Sequence, residues 1–147
     1  MRARCIGAAC LLILLVIATA YGAVDSFKHD PKSSGKVNKV YWNFTTDASG
    51  DTTSESFYVW GTILNVKYTF VDADTGTDVY LHPVGSTTID FLQGQFTNVG
   101  TSSFMRVPLV EDSDGSKVAP PMVAEWVYIR IDEGGNAKSG TVEILWK

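Results

Sequence analysis

The chain has 147 residues, a formal net charge of −4 and two cysteines, Cys5 and Cys10, both near the N-terminus. An acidic chain is repelled by phosphate backbones, so the composition predicts no nucleic-acid partner. Because no cysteine follows Cys10, the rest of the chain can form neither a disulfide nor a thiolate metal site.

Residues 1–22 have the pattern of a secretory signal peptide. Arg2 and Arg4 form a basic start, residues 10–18 form an apolar run, and small residues follow it. Cleavage would leave a chain that begins at Tyr21 or Ala23 and is secreted or displayed at the cell surface. The alternative is an uncleaved membrane anchor, since the long stretch after Arg4 carries no charge and could cross a bilayer.

The chain after the leader has about 125 residues, the size of a single domain. Arg2 and Arg4 are two of the 12 basic residues, so this part carries a net charge of about −6 with its 16 acidic residues. Residues 23–36 contain Pro31, Gly35, paired serines and mixed charge without an apolar period, which predicts a flexible arm and linker. We therefore expect the folded domain to span residues 37–147.

Alternation of apolar and polar residues with a period of two predicts strands in the first half of this domain. It covers residues 38–45 and residues 56–71, where Gly61 indicates a bulge or a close backbone approach. A third strand covers residues 79–82 and ends at Pro83, which cannot donate a ladder hydrogen bond.

The second half of the domain has a weak pattern followed by strong ones. Residues 85–103 fit either a short helix or a loop, and residues 104–110 predict a strand that Pro108 places at a sheet edge. Residues 122–131 and 140–146 predict a hairpin around a glycine-rich turn. No segment has a convincing helical period, so we predict an all-β fold, a single antiparallel β-sandwich of about seven to eight strands.

The apolar faces of these strands predict the core. It consists of Val40, Trp42, Phe44, Val127, Ile129, Ile131, Val142, Ile144 and Trp146. The chain has four tryptophans, which either fill such a core or form an exposed platform on which sugars stack. We expect at least two of them, Trp42 and Trp146, to lie in the core.

The sequence offers little for catalysis. His29 lies in the predicted arm and His82 lies beside a proline, where we expect it to face water, and neither belongs to a catalytic motif. Serines and glycines show no nucleophile or phosphate-binding pattern. We therefore predict no enzymatic activity and no cofactor.

Two weak site patterns remain. Asp72, Asp74 and Asp78 place oxygens at alternate positions, as a calcium loop does, but they lack the further ligands of an EF-hand. The alternative is a hairpin turn in which the aspartates cap backbone N–H groups. Separately, Asn43 begins the sequon Asn-Phe-Thr and should point away from the core face, so it is a candidate glycosylation site.

Five stretches carry a resemblance to known proteins. They are KVNKVYWNFTTDASGD, GTILNVKY, YTFVDADTGTDVYL, RVPLVEDSDG and GGNAKSGTVEILWK. Their order and spacing resemble small all-β proteins encoded among bacteriophage structural genes. These are strand and turn patterns that cover nearly the whole chain after the leader, and the resemblance implies a structural role without catalysis. The export signal departs from that pattern and favours a host-encoded surface subunit over a capsid component.

Sheet edges suggest how such a subunit would assemble, because their unpaired N–H and C=O groups must be covered or used. If cleavage follows Ala20, Tyr21, Ala23 and Phe27 lie on one side of a segment that could add as a strand to a neighbour's sheet. Head-to-tail addition does not close, so it makes a filament.

We therefore predict a secreted structural subunit whose partners are copies of itself. The alternatives are a carbohydrate-binding β-sandwich module and a phage virion structural protein. Contact with a membrane is expected only if the leader stays uncleaved.

Overall fold

The computed structural model describes residues 26–30, 37–111 and 114–147, and these ranges form ten strands and no helix. The strands are β1 (Ser26–Asp30), β2 (Asn38–Thr45), β3 (Thr52–Thr53), β4 (Phe57–Phe70), β5 (Asp78–Pro83), β6 (Phe104–Arg106), β7 (Val110–Glu111), β8 (Lys117–Ala119), β9 (Met122–Asp132) and β10 (Ser139–Trp146). The predicted all-β class is confirmed.

Eight of the strands form one antiparallel sheet in the order β1-β2-β10-β4-β9-β3, with β5 paired to β9 and β6 paired to β4. The sheet curls over the core as two layers. The first layer contains β1, β2, β10, residues 63–70 of β4, and β6. The second contains residues 57–62 of β4, β9, β5 and β3. β4 therefore belongs to both layers, as expected where a strand bends at a sandwich corner.

Gly61 lies where β4 passes between the layers. Its φ is +129°, and a Cβ at this position would overlap the backbone carbonyl of Lys147. The two backbones are held together by reciprocal bonds, in which Thr62 N donates to Lys147 O at 2.8 Å and Lys147 N donates to Thr62 O at 3.0 Å. The close backbone approach predicted at Gly61 is confirmed.

The core lies between the two layers, and all nine residues predicted for it are at most 2% exposed. Further core side chains come from β4 and from loops, among them Phe57, Ile63, Tyr68, Leu92 and Phe96. Burial of so much apolar surface is the main source of stability in a domain without disulfides.

The predicted hairpin of β9 and β10 is wrong. The two strands do not pair with each other, because β4 lies between them and takes one edge of each. Their connection instead crosses from one layer to the other at the end of the sandwich. There Gly134 N donates to Gly50 O at 2.8 Å, and Thr46 N donates to Lys138 O at 2.9 Å. Contacts with the distant loop after β2 thus determine the path of the β9–β10 connection, which the sequence pattern predicted to be a local hairpin turn.

The single strand predicted for residues 104–110 is also wrong. β6 ends at Arg106 and β7 begins at Val110, with Pro108 buried between them. Proline removes a backbone donor and fixes φ, so it interrupts the strand. Residues 85–103, for which a helix and a loop were both open, form turns without a helix.

β1 lies inside the segment that we predicted as a flexible arm. It pairs antiparallel with β2 in a register that places Phe27 opposite Trp42 and Lys28 opposite Tyr41. Among the described strands, β1 pairs with β2 alone. The N-terminal segment thus covers an edge of its own sheet.

Candidate assembly surface

The four tryptophans divide into two buried and two exposed residues. Trp42 and Trp146 are at most 2% exposed, which confirms their predicted place in the core. Trp60 and Trp126 are 70% and 57% exposed, and they lie on neighbouring strands of the second layer. Large aromatic side chains exposed together on one face of a sheet make that face a candidate contact surface.

These exposed residues surround a groove on the outer side of the second layer. The groove has a volume of about 650 Å³ and is lined by Ser56, Tyr58, Val84, Ala124, Glu125 and Trp126. We call it the aromatic groove. Trp60 and Met122 extend its apolar surface, and Met122 is 79% exposed.

The strand register explains why the aromatic side chains meet. Tyr58 lies opposite Trp126 in the β4–β9 pair, so their rings contact each other with centroids 5.6 Å apart. The rings meet edge to face at 62°. Edge-to-face contact is a favourable aromatic arrangement, so it stabilises the positions of these two groove-lining side chains.

One side of β9 is open beside the groove. β5 ends at Pro83, opposite Val127, and the pairing continues only as far as the bond from Val84 N to Trp126 O at 2.8 Å. Backbone groups of successive strand residues alternate in direction, so those of Ala124 point to the same side as those of Trp126. Among the described strands, none pairs with that side of residues 122–125. The aromatic groove therefore runs along a sheet edge.

His82 is not the water-facing residue that we expected. It is 4% exposed, with its ring between those of Tyr80 and Tyr128 at centroid distances of 5.3 and 5.7 Å. Its Nδ1 lies 2.6 Å from the carbonyl oxygen of Ile89. Since a carbonyl only accepts, Nδ1 is the donor. His82 therefore holds the loop after β5 against the outer face of the sheet by a hydrogen bond to Ile89. This bond and the contacts with two tyrosine rings account for its burial by a structural role.

The structure does not bring the three candidate calcium ligands together around one point. Asp72 accepts bonds from Ser139 N at 2.6 Å and Ser139 Oγ at 2.9 Å, which lower the pKa of its carboxyl. Asp78 accepts from Asn98 N and Tyr80 Oη, while the backbone carbonyl of Asp74 accepts from Thr77 N. Within the described ranges, no group of three or more His, Cys, Asp and Glu side chains is arranged to hold a metal ion. The contacts of Asp72 and Asp78 are those of turn-stabilising aspartates.

The remaining candidate residues lie on or before the first layer. Asn43 points away from the core as predicted, and its Oδ1 accepts a bond from Thr141 Oγ1 at 2.8 Å. Phe27 lies in β1, whereas Tyr21 and Ala23 lie outside the described residues.

The aromatic groove was missed by the reading of the sequence, although a signal for it exists. Residues 57–60 read Phe-Tyr-Val-Trp, which is apolar on both faces of a strand. Because Phe57 and Val59 enter the core, Tyr58 and Trp60 must face outward. A strand without a polar face at the surface of a sandwich predicts a contact surface.

Within the described part of the chain, no helix is long and apolar enough to cross a membrane. No protein-family model, curated protein or solved structure matches this chain.

Proposed function

We propose that this chain is a secreted, non-enzymatic structural subunit that assembles with copies of itself by strand addition. The observation that carries the proposal is the aromatic groove beside the open stretch of β9. An open sheet edge offers main-chain donors and acceptors in a row, and adjacent apolar side chains add affinity. Such a surface fits an extended polypeptide segment.

The chain supplies a segment of this kind at its N-terminus. β1 is an edge strand connected to β2 by residues 31–36, and its pairing with β2 supports the view that this part of the chain adopts extended structure against a sheet. The residues before β1 include Tyr21 and Ala23, which alternate with Gly22 and Val24. In an exported chain cleaved after Ala20, we propose that these residues pair with a neighbour.

The geometry of the groove favours a polypeptide over a sugar. Sugar-stacking platforms present ring faces side by side, but Tyr58 and Trp126 meet at 62°, so the edge of one ring covers part of the other. The carbohydrate-binding alternative therefore has weaker support. The groove also offers main-chain groups of β9, which a strand would pair with continuously.

The test compares a chain that starts at Tyr21 with one that starts at Val37. We expect the longer chain to form concentration-dependent oligomers or fibres in light scattering and electron microscopy, and the shorter chain to lose them. If both are monomeric over the whole concentration range, or if both assemble equally, the N-terminal segment is not the connector.

A carbohydrate module is the competing outcome. Retention of the Tyr21 chain on insoluble polysaccharides, lost on Trp60→Ala and Trp126→Ala substitution, would favour that module if the chain stays monomeric.

A further inference from the structure

We infer that residues 21–25 of one copy add as a short strand to the open side of residues 122–125 in another copy, with the amino group of Tyr21 beside Glu125. The inference rests on the proposed function and names its donor and acceptor. Within one copy, β1 remains paired with β2 and anchors the donor segment.

The acceptor is defined by the backbone of β9. Trp126 O already accepts a hydrogen bond from Val84 N. The next residue whose backbone groups point to the same side of β9 is Ala124. Its N–H and C=O face the groove that Ala124 itself lines. An incoming strand would therefore continue β5 across the gap after Val84.

The side chains beside this edge match an apolar strand. Val84 and Trp126 line the groove, and Met122, at the start of β9, is mostly exposed to solvent. Tyr21 and Ala23 alternate along the donor and would lie on one face of it. Adding the strand would cover apolar surface on both copies, which favours association.

Charge complementarity favours this donor. Glu125 is the charged residue among those that line the groove. It lies between Ala124 and Trp126 in β9, so its exposed side chain stands at the same edge on the opposite face of the strand. A charge at an open edge opposes unplanned strand pairing, so a partner has to neutralise it. Cleavage after Ala20 would give Tyr21 a protonated amino group, whose pKa is ordinarily about 7.7–8.0. The N-terminal region also carries Lys28, Lys32 and Lys36 against Asp25 and Asp30.

The length of the donor also fits the open edge. The described chain begins at Ser26, in β1, so a chain cleaved after Ala20 has residues 21–25 before it. Five extended residues span about 17 Å, which is enough to cover the open residues 122–125 of β9. The donor is therefore long enough to pair along the whole open edge.

The experiment uses the full gene, exported with its leader, and begins with the mass of the mature chain. Four variants are compared with it by light scattering at matched concentrations. A deletion of residues 21–25 leaves the leader and β1 intact. Ala124→Pro removes the edge N–H and is tolerated at an open edge, while Ala124→Ser keeps the N–H as its control. Glu125→Gln removes the charge at constant size.

We expect a mature chain that begins at Tyr21 and associates. The deletion and Ala124→Pro should weaken association at least tenfold, Glu125→Gln several-fold, and Ala124→Ser not at all. Unchanged thermal midpoints would show that the variants fold.

Association of the deletion and of Ala124→Pro as tight as that of the mature chain would overturn this inference and leave the proposed function standing. A mature chain that begins elsewhere also overturns the inference, because the donor would differ. A mature chain that starts at Tyr21 and stays monomeric throughout overturns both.

Discussion

At the scale of single residues, tryptophan has two opposite roles in this chain. Trp42 lies in β2 among core residues, and its ring packs 5.4 Å from that of Phe44. Trp60 lies in β4, one residue before the bend at Gly61, and faces water. Both tryptophans belong to apolar-rich strands, so their different roles follow from which face of the sheet each one occupies, and not from residue type.

The first prediction compares these two tryptophans. Trp42→Ala should lower the free energy of unfolding by about 3–5 kcal/mol, because it leaves a cavity in the core. Trp60→Ala should change it by no more than about 0.5 kcal/mol, since an exposed side chain leaves no cavity. Urea midpoints measured on monomeric protein check this, and equal midpoints for the two variants would contradict the assigned burial.

A second feature at this scale is the phenol of Tyr80. Burial, and a bond in which Tyr80 Oη donates to Asp78 Oδ2 at 2.8 Å, raise the pKa of Tyr80 to about 12. Burial also raises the pKa of Tyr68. The folded state therefore favours the protonated phenols, and it binds these protons more tightly than the unfolded chain does.

The second prediction follows from the sign of that shift. A raised pKa stabilises the fold below the unfolded value of about 10, and this contribution is lost as the pH rises towards the folded value. The urea midpoint should therefore fall between pH 10 and pH 12, and the fall should be smaller in Tyr80→Phe. Identical falls in both proteins would show that Tyr80 does not contribute.

At the scale of elements, the long strands could be predicted because their pattern is local. β2 has the predicted bounds, and β4, β5, β9 and β10 differ from prediction by one residue at one or both ends. Pairing could not be predicted in the same way. β9 and β10 read as a hairpin, yet each pairs with β4, since that strand presents one half to each layer. Register of this kind depends on contacts between residues far apart in sequence.

The loop between β5 and β6 shows what a periodic pattern misses. Asp90 organises it: Oδ1 accepts from Leu81 N at 3.0 Å and Leu92 N at 2.9 Å, and Oδ2 accepts from Gly94 N at 2.9 Å. These bonds hold Leu92 and Phe96 in the core. One carboxylate thus replaces the regular hydrogen bonds of a helix or strand.

The third prediction tests this loop through Asp90. Asp90→Ala leaves three backbone donors without their acceptor and should lower the free energy of unfolding by at least about 1.5 kcal/mol. Asp90→Asn should cost less, because its Oδ1 still accepts while its amide cannot replace Oδ2. Denaturant midpoints give the order wild type, Asn, Ala, and an Ala variant as stable as the wild type would contradict it.

At the scale of the whole molecule, the core and the candidate site differ in how far sequence predicts them. Alternating apolar residues identify the core because burial follows the strand period. The aromatic groove depends on where β5 stops relative to β9, which period alone does not specify. Residues 57–60 gave a hint of exposed aromatic side chains, but the open edge beside them required the three-dimensional pairing.

The final prediction concerns cooperativity. β4 contributes to both layers, and Gly61 at its bend holds Thr62 against Lys147, so neither layer can lose β4 without exposing the shared core. Unfolding should therefore be a single transition, with coincident urea midpoints for far-UV circular dichroism and tryptophan fluorescence. Ile129→Ala, in the second layer, should lower the free energy of unfolding by about 2–5 kcal/mol and shift both urea midpoints by the same amount. Gly61→Ala should also lower both midpoints together, because the added Cβ would overlap the backbone of Lys147. If Ile129→Ala moved one probe and left the other in place, the layers would unfold separately and β4 would not couple them.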